Sequence, residues 1–350
     1  MKRGRARAVA SSGPSAGEGP DEALDEGATS AAGESRAPDR GAARKAKAPK
    51  APPTDLEDIP EPKASSKLAE LDPRFFFLKT WRWLDAVAVR DRAADREKGR
   101  YDWAPVWALC AGAVCLTLME YFGGRRDFER ILMQGFKVAG QLLIDPRPEV
   151  IESPYYELYS YIYWSGWRFV GYFVLPAIVV KVALRARIRD FGLETKGFVE
   201  HAWIYVVFFF IVLGPLVAVS YTRSFQTHYP FYDLAHRSWF DFLAWEVFYA
   251  LQFFSLEFFF RGFLVHALRK SMGSYAIFAM VAPYCMIHFG KPILETLGAI
   301  LAGVALGTLA LRTRSIWAGF LIHVSVAVTM DVASLLHGRG LPSVFWPLLR

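Results

Sequence analysis

The chain has 350 residues, 53% of them hydrophobic and 15% aromatic, with a formal net charge of +7. The apolar residues are so unevenly spread that a water-soluble globular protein is excluded. The positive charge does not point to nucleic acid. It sits at the flanks of apolar runs, where basic residues select the cytoplasmic side and meet anionic headgroups.

Residues 1–71 are mostly Ala, Gly, Ser, Pro and charged residues, with almost no aromatics. Such a segment buries too little apolar surface to offset its chain entropy, and it reads as a disordered polar tail. No signal peptide is expected, because the first long apolar run begins only near Ala104. Next comes Pro73 to about Arg92, where Phe75, Phe76, Phe77, Trp81 and Trp83 alternate irregularly with Arg74, Lys79, Arg82 and Asp85. That pattern suits a helix in the headgroup layer. Seven apolar segments follow, at about 104–122, 158–184, 199–221, 240–268, 274–290, 293–311 and 315–336, with an amphipathic surface helix from Asp127 to Leu143 between the first two. The expected fold is therefore an all-α polytopic membrane protein of about seven transmembrane helices. It divides into a tail (1–71), interfacial helices with the first span (72–157) and a membrane core (158–337).

Short basic loops set orientation. Arg185, Arg187, Arg189 and Lys196 follow the second span, Arg269 and Lys270 the fourth, and Arg312 and Arg314 the sixth. They alternate as cytoplasmic loops, which predicts a multi-pass protein of the cell membrane with its N-terminus in the cytoplasm. Arg125, Arg126 and Arg130 do not fit this pattern. Cys110, Cys115 and Cys285 all lie in apolar runs, at a spacing that matches no metal or disulfide framework.

An ionisable residue in the bilayer core is costly and marks a functional candidate. The fourth span carries Glu246, Glu257, Arg261 and His266. Glu257 and Arg261 are four apart, share a helix face and can pair, either as a structural lock or as part of a site. His288 follows Pro283 late in the fifth span, and His323 lies inside the seventh. At ~1.5 Å per residue, Glu257 is ~18 Å from Arg269, His323 ~13 Å from Arg314 and His288 ~21 Å from the start of its span. All three fall at mid-depth, where they can meet in one polar cavity. A glutamate with two imidazoles can activate water and stabilise an oxyanion. The same three residues form an alternative zinc-ligand set, although no cofactor is expected.

The stretch Leu256-Glu257-Phe258-Phe259-Phe260-Arg261-Gly262 resembles the first motif of the CPBP (Abi) family. This family comprises intramembrane endopeptidases related to the type II CAAX prenyl protease and to lysostaphin-resistance-like proteins. Tyr284 to His288 is similar to its second motif, Phe-x-x-x-His, and His323 to Ala327 occupies the place of its third, His-x-x-x-Asn. The segment Arg189 to Leu193 also fits, so the resemblance spans roughly residues 160–336. It implies a glutamate-based protease with Glu257, Arg261, His288 and His323 at the catalytic site and a membrane-associated peptide or protein as substrate. In that picture Glu257 activates water with help from His288, and His323 supports the oxyanion. Three positions depart from the pattern. The first-motif glutamate is Leu256, the third-motif asparagine is Ala327, and the second-motif Phe is Tyr284. Glu246 lies ~16 Å along the helix from Glu257, and Asp331 is about 80° around its helix from His323, so neither replaces the missing carboxylate. Glu295 can fold back across Gly290 and Pro292 or serve as a helix-start carboxylate. The alternative to a protease is a non-catalytic relative that binds a membrane peptide or partner in the same cavity.

Overall fold

The structure is a computed structural model that describes residues 59–139, 150–291 and 293–347. Most of the expected tail lies outside the described residues. The part within them, from Ile59, makes defined contacts. Glu61 pairs with Arg312 (2.7 Å), Glu70 approaches it at 3.9 Å, and Trp83 donates its indole N–H to the Ile59 carbonyl (3.1 Å).

The described residues are helical, with no strand beyond an isolated bridge between Leu193 and Ser315. A π-helical turn, Arg74–Lys79, runs into α1 (Thr80–Glu97). There follow α2 (Ala104–Phe122) and α3 (Arg125–Ala139), the latter matching the expected surface helix up to residue 139. Next are α4 (Tyr156–Val182), α5 (Lys196–Ser220) and α6 (Trp239–Met272). The chain continues through α7 (Tyr275–Met286), α8 (Ile293–Thr313) and α9 (Trp317–His337). Six of these helices, α2, α4, α5, α6, α8 and α9, are long and apolar enough to cross a membrane.

The seventh expected span is shorter than the sequence suggests. α7 has 12 residues, so it rises ~18 Å against a hydrocarbon core of ~30 Å. Pro283 removes one helical donor, and the chain leaves the helix in tight turns, with His288 N bonded to Cys285 O (2.9 Å) and Phe289 N to Met286 O (3.1 Å). Gly290 then adopts φ +88°, a conformation glycine takes without strain, and the chain reverses into α8.

Burial shows which helix is central. In α6, 67% of the apolar window is buried, against 17% in α5, whose Phe210 and Ile211 are each 63% exposed. Apolar side chains bared on that scale require lipid around them. α6 begins at Ser238, whose hydroxyl accepts from Asp241 N (3.1 Å), and is interrupted by a π-helical turn at Phe258–Leu264.

The loops sort into two ends. At one end, Ile316 N bonds Gly192 O (2.8 Å), Trp317 donates to Leu193 O (3.2 Å), and Gly192 lies beside His266, one turn from Arg269. There α1 covers the α6–α7 turn, through Asp85 to Ser274 N (2.7 Å) and an Asp95–Lys270 pair. All three basic loops named from the sequence meet at this end. At the other end, Ser220 meets His337 (3.2 Å), Tyr229 meets Glu295 (3.1 Å), and Trp239 N bonds Val344 O (3.0 Å). Two of the misfit arginines, Arg125 and Arg130, are neutralised there. Arg125 contacts Glu157 (3.6 Å) and bonds Tyr161 (2.8 Å), while Arg130 pairs with Asp127 (2.6 Å). α7 and its turn run from the first end toward the second, so the alternation of seven elements is kept.

Candidate active site

Glu257 is the last residue before the π-helical turn of α6, and Arg261 lies inside that turn. A π-turn adds a residue to the local helical circuit and often marks a functional position. Both side chains are fully buried. Arg261 Nη1 stands 3.0 Å from Glu257 Oε1, and His323 Nδ1, arriving from α9, stands 2.9 Å from the same oxygen. The Arg261 contact is a charge pair, and neither contact has the alignment of a hydrogen bond. Among the described residues both Glu257 oxygens and all three Arg261 nitrogens keep hydrogen-bonding capacity unused. Mutual neutralisation offsets the cost of placing two charges at this depth.

The carboxylate fits here because α9 presents Gly319 one turn before His323. A Cβ built at Gly319 would lie 2.2 Å from Glu257 Oε2. The expected cavity is therefore filled at Glu257, and the partly exposed group is His323, with 19% of its side chain accessible. Its Nδ1 faces two acceptors, the Gly319 carbonyl (3.1 Å) and Glu257, so it carries the ring proton. Its Nε2 is the lone-pair nitrogen and meets the Tyr284 hydroxyl at 3.2 Å. Phe253 stacks on the ring, centroids 5.3 Å apart.

Tyr284 joins the group together. It is 1% exposed, and the Arg261 guanidinium lies 3.9 Å from its ring centroid, a desolvated cation–π contact worth about 2 kcal/mol. His288 packs edge-on against the same ring (4.8 Å) and donates its Nδ1–H to the Tyr284 carbonyl (2.8 Å). That bond leaves Nε2 of His288 as its lone-pair nitrogen. The structure thus brings Glu257, Arg261 and His323 into direct contact, and His288 reaches them through Tyr284. Sequence reasoning noted Tyr284 only as a departure from a motif, and it missed Gly319. Tyr284 lies four residues before His288, and Gly319 four before His323. One helical turn was the available signal in both cases.

The other carboxylates sit elsewhere. Asp331 accepts the Trp245 indole N–H (2.7 Å) and faces Glu246, forming a separate buried node on the same two helices. Glu295 pairs with Lys291 (2.6 Å) at the start of α8 and accepts the Tyr229 hydroxyl, as a helix-start carboxylate. Burial and that neighbouring carboxylate push the Tyr229 phenol above its ordinary range. Among the described residues, no three or more His, Cys, Asp or Glu side chains converge as metal ligands would. Glu257, His288 and His323 therefore do not fit a zinc set in this arrangement.

A carboxylate behind an imidazole that keeps a lone-pair nitrogen can make that nitrogen a proton acceptor for water or a hydroxyl. Residues 238–329, which contain this whole cluster, match the family model described as type II CAAX prenyl endopeptidase Rce1-like. No curated protein and no solved structure matches the chain. Over the segment that carries Glu257, Arg261, His288 and His323, about a quarter of its length, the chain is similar to that endopeptidase family.

Proposed function

We propose that this protein is an intramembrane endopeptidase that hydrolyses a peptide bond in a membrane-associated protein, with CAAX-type prenylated C-termini as the substrate class. The observation that carries this reading is the 2.9 Å contact between Glu257 and His323. It lies within the segment that matches an endopeptidase family. Glu257 is fully buried and held on both sides, so it acts on water through the imidazole and not by direct contact. His323 Nε2 takes the proton from water, and Glu257 stabilises the imidazolium that results. Arg261 holds the Glu257 carboxylate in place. His288 offers a second lone-pair nitrogen beside the same ring and holds the water or the peptide. The N-terminus and the three basic loops face the cytoplasm of a cell membrane, by the positive-inside rule.

The full burial of Glu257 favours one competing reading, in which the Glu257–Arg261 pair is a lock inside a non-catalytic binding protein. One experiment separates the two. The purified protein in lipid vesicles is given a quenched fluorescent peptide that ends in a farnesylated CAAX-type sequence. A protease cleaves it, cleaves the unprenylated peptide more slowly, and loses both activities on His323→Ala. A binding protein retains the farnesylated peptide uncut, and His323→Ala leaves that retention unchanged.

A further inference from the structure

Hydrolysis needs a donor for the carbonyl oxygen as well as a base for water. The cluster supplies the base, but the helix carrying His323 does not supply the donor. One turn beyond His323 stands Ala327, which has no side-chain donor and is buried against a different cluster with Trp245 and Tyr249. Arg261 is fully buried beside Glu257 and against the face of the Tyr284 ring, so its unused N–H groups lie behind that ring.

Tyr284 has the required geometry. Its hydroxyl is 3.2 Å from His323 Nε2, the atom that meets water in the reading above. The hydroxyl thus stands at the lone pair that would take the water's proton, within reach of groups brought to Nε2. The ring is fixed from several sides. Arg261 lies over its face, Phe260 packs at its edge (5.2 Å), His288 packs at 4.8 Å, and its backbone carbonyl is tied to His288 Nδ1. Only the hydroxyl hydrogen is free to turn about its C–O bond.

We propose that Tyr284 is a catalytic residue whose hydroxyl donates to the oxyanion of the tetrahedral intermediate, an inference that rests on the endopeptidase reading. At rest the O–H caps His323 Nε2. When the peptide enters, the hydrogen turns to the substrate carbonyl oxygen and frees Nε2. Water then adds to the carbonyl carbon, the C=O π pair moves to oxygen, and one water proton passes to Nε2. The Tyr284 O–H stabilises that oxygen. On collapse the C=O re-forms, the C–N bond breaks, and the proton on Nε2 goes to the leaving amine. A carboxylic acid and an amine result. The charged and titratable groups around the ring are Arg261 and Glu257 from α6, His323 from α9, His288 beyond its own helix, and Glu295 from α8.

The test uses Tyr284→Phe in the full chain in vesicles, with the farnesylated peptide and a non-cleavable phosphonate analogue of its tetrahedral intermediate. Removing one oxyanion donor is expected to lower kcat by about a hundredfold or more with KM unchanged. Phosphonate affinity should fall in parallel, and binding of the uncut peptide should not. A second variant carries 3,5-difluorotyrosine at 284, which keeps size and hydroxyl while making the phenol more acidic. A donor must hold its proton, so the loss of kcat at high pH should begin at lower pH in this variant. It decides the matter if the Phe variant does not fold. If the parent cleaves while Tyr284→Phe cleaves equally well, or if fluorination leaves the pH profile in place, the donor role is wrong and the protease reading survives. If the parent neither cleaves the peptide nor binds the phosphonate, the protease reading falls and the donor role falls with it.

Discussion

Gly319→Ala perturbs the site without altering any of its chemical groups. A methyl at that position would lie 2.2 Å from Glu257 Oε2 and 2.8 Å from its carboxyl carbon. Ordinary contact begins near 3.4 Å, so the carboxylate or α9 must yield by roughly 1 Å. Glu257 cannot yield freely, because Arg261 and His323 both hold Oε1 at about 3 Å. Overpacking alone costs about 1–3 kcal/mol. Full loss of a buried ion pair costs about 3–5 kcal/mol. A partial displacement should fall between, at about 3 kcal/mol, and should lower turnover at least tenfold as the carboxylate leaves the imidazole. The assay is equilibrium unfolding in mild detergent, measured beside peptide cleavage. Glu257→Asp withdraws the carboxylate by one methylene, so the double variant should recover at least about 1 kcal/mol relative to additivity. A Gly319→Ala protein within about 0.5 kcal/mol of the parent would show that the carboxylate does not pack against α9 as described.

Other outcomes follow from the same structure. Arg261→Met alone should destabilise by about 3–5 kcal/mol by leaving Glu257 buried and unpaired, while Arg261→Met with Glu257→Leu should recover most of that, as detergent unfolding can measure. Deleting residues 1–58 should leave thermal stability unchanged, whereas deleting 1–71 should cost about 1–3 kcal/mol, because Arg312, with 3% of its side chain exposed, loses Glu61 and Glu70. Cysteines placed at Arg189, Ser271 and Arg314 should react with an impermeant reagent from the cytoplasmic side, and one at Arg339 only from the other side. Arg339 reacting on the same side as the other three would refute the alternation of seven elements.

Much of the fold is legible in the sequence because hydropathy and basic flanks are strong, local signals. The limits of α2 match the apolar run at 104–122, and the basic loops do meet at one end. The early end of α7 was harder to read, because residues 274–290 are apolar enough to suggest a longer span. Only Pro283 and Gly290 hint at the stop. The π-turn at 258–264 leaves no mark in composition, yet it sets where Arg261 projects. At the site, Glu257, Arg261 and His323 were visible as costly charges and polar rings at matching depth. Tyr284 was not, since an aromatic on an apolar helix is ordinary until its hydroxyl is seen 3.2 Å from an imidazole. Glu246 and Asp331 stood out individually, and their meeting depended on a helix contact that spacing along the chain does not reveal.

The central claim is that Glu257 works through His323 to activate water. Its most direct measurement is the single-turnover cleavage rate of the farnesylated peptide by Glu257→Gln, with folding checked by the same unfolding assay. The amide keeps the shape and loses the charge that stabilises the imidazolium, so the rate per folded molecule should fall by about two orders of magnitude or more, alongside a loss of stability from the unpaired Arg261. A folded Glu257→Gln protein that cleaves at the parent rate would contradict the account.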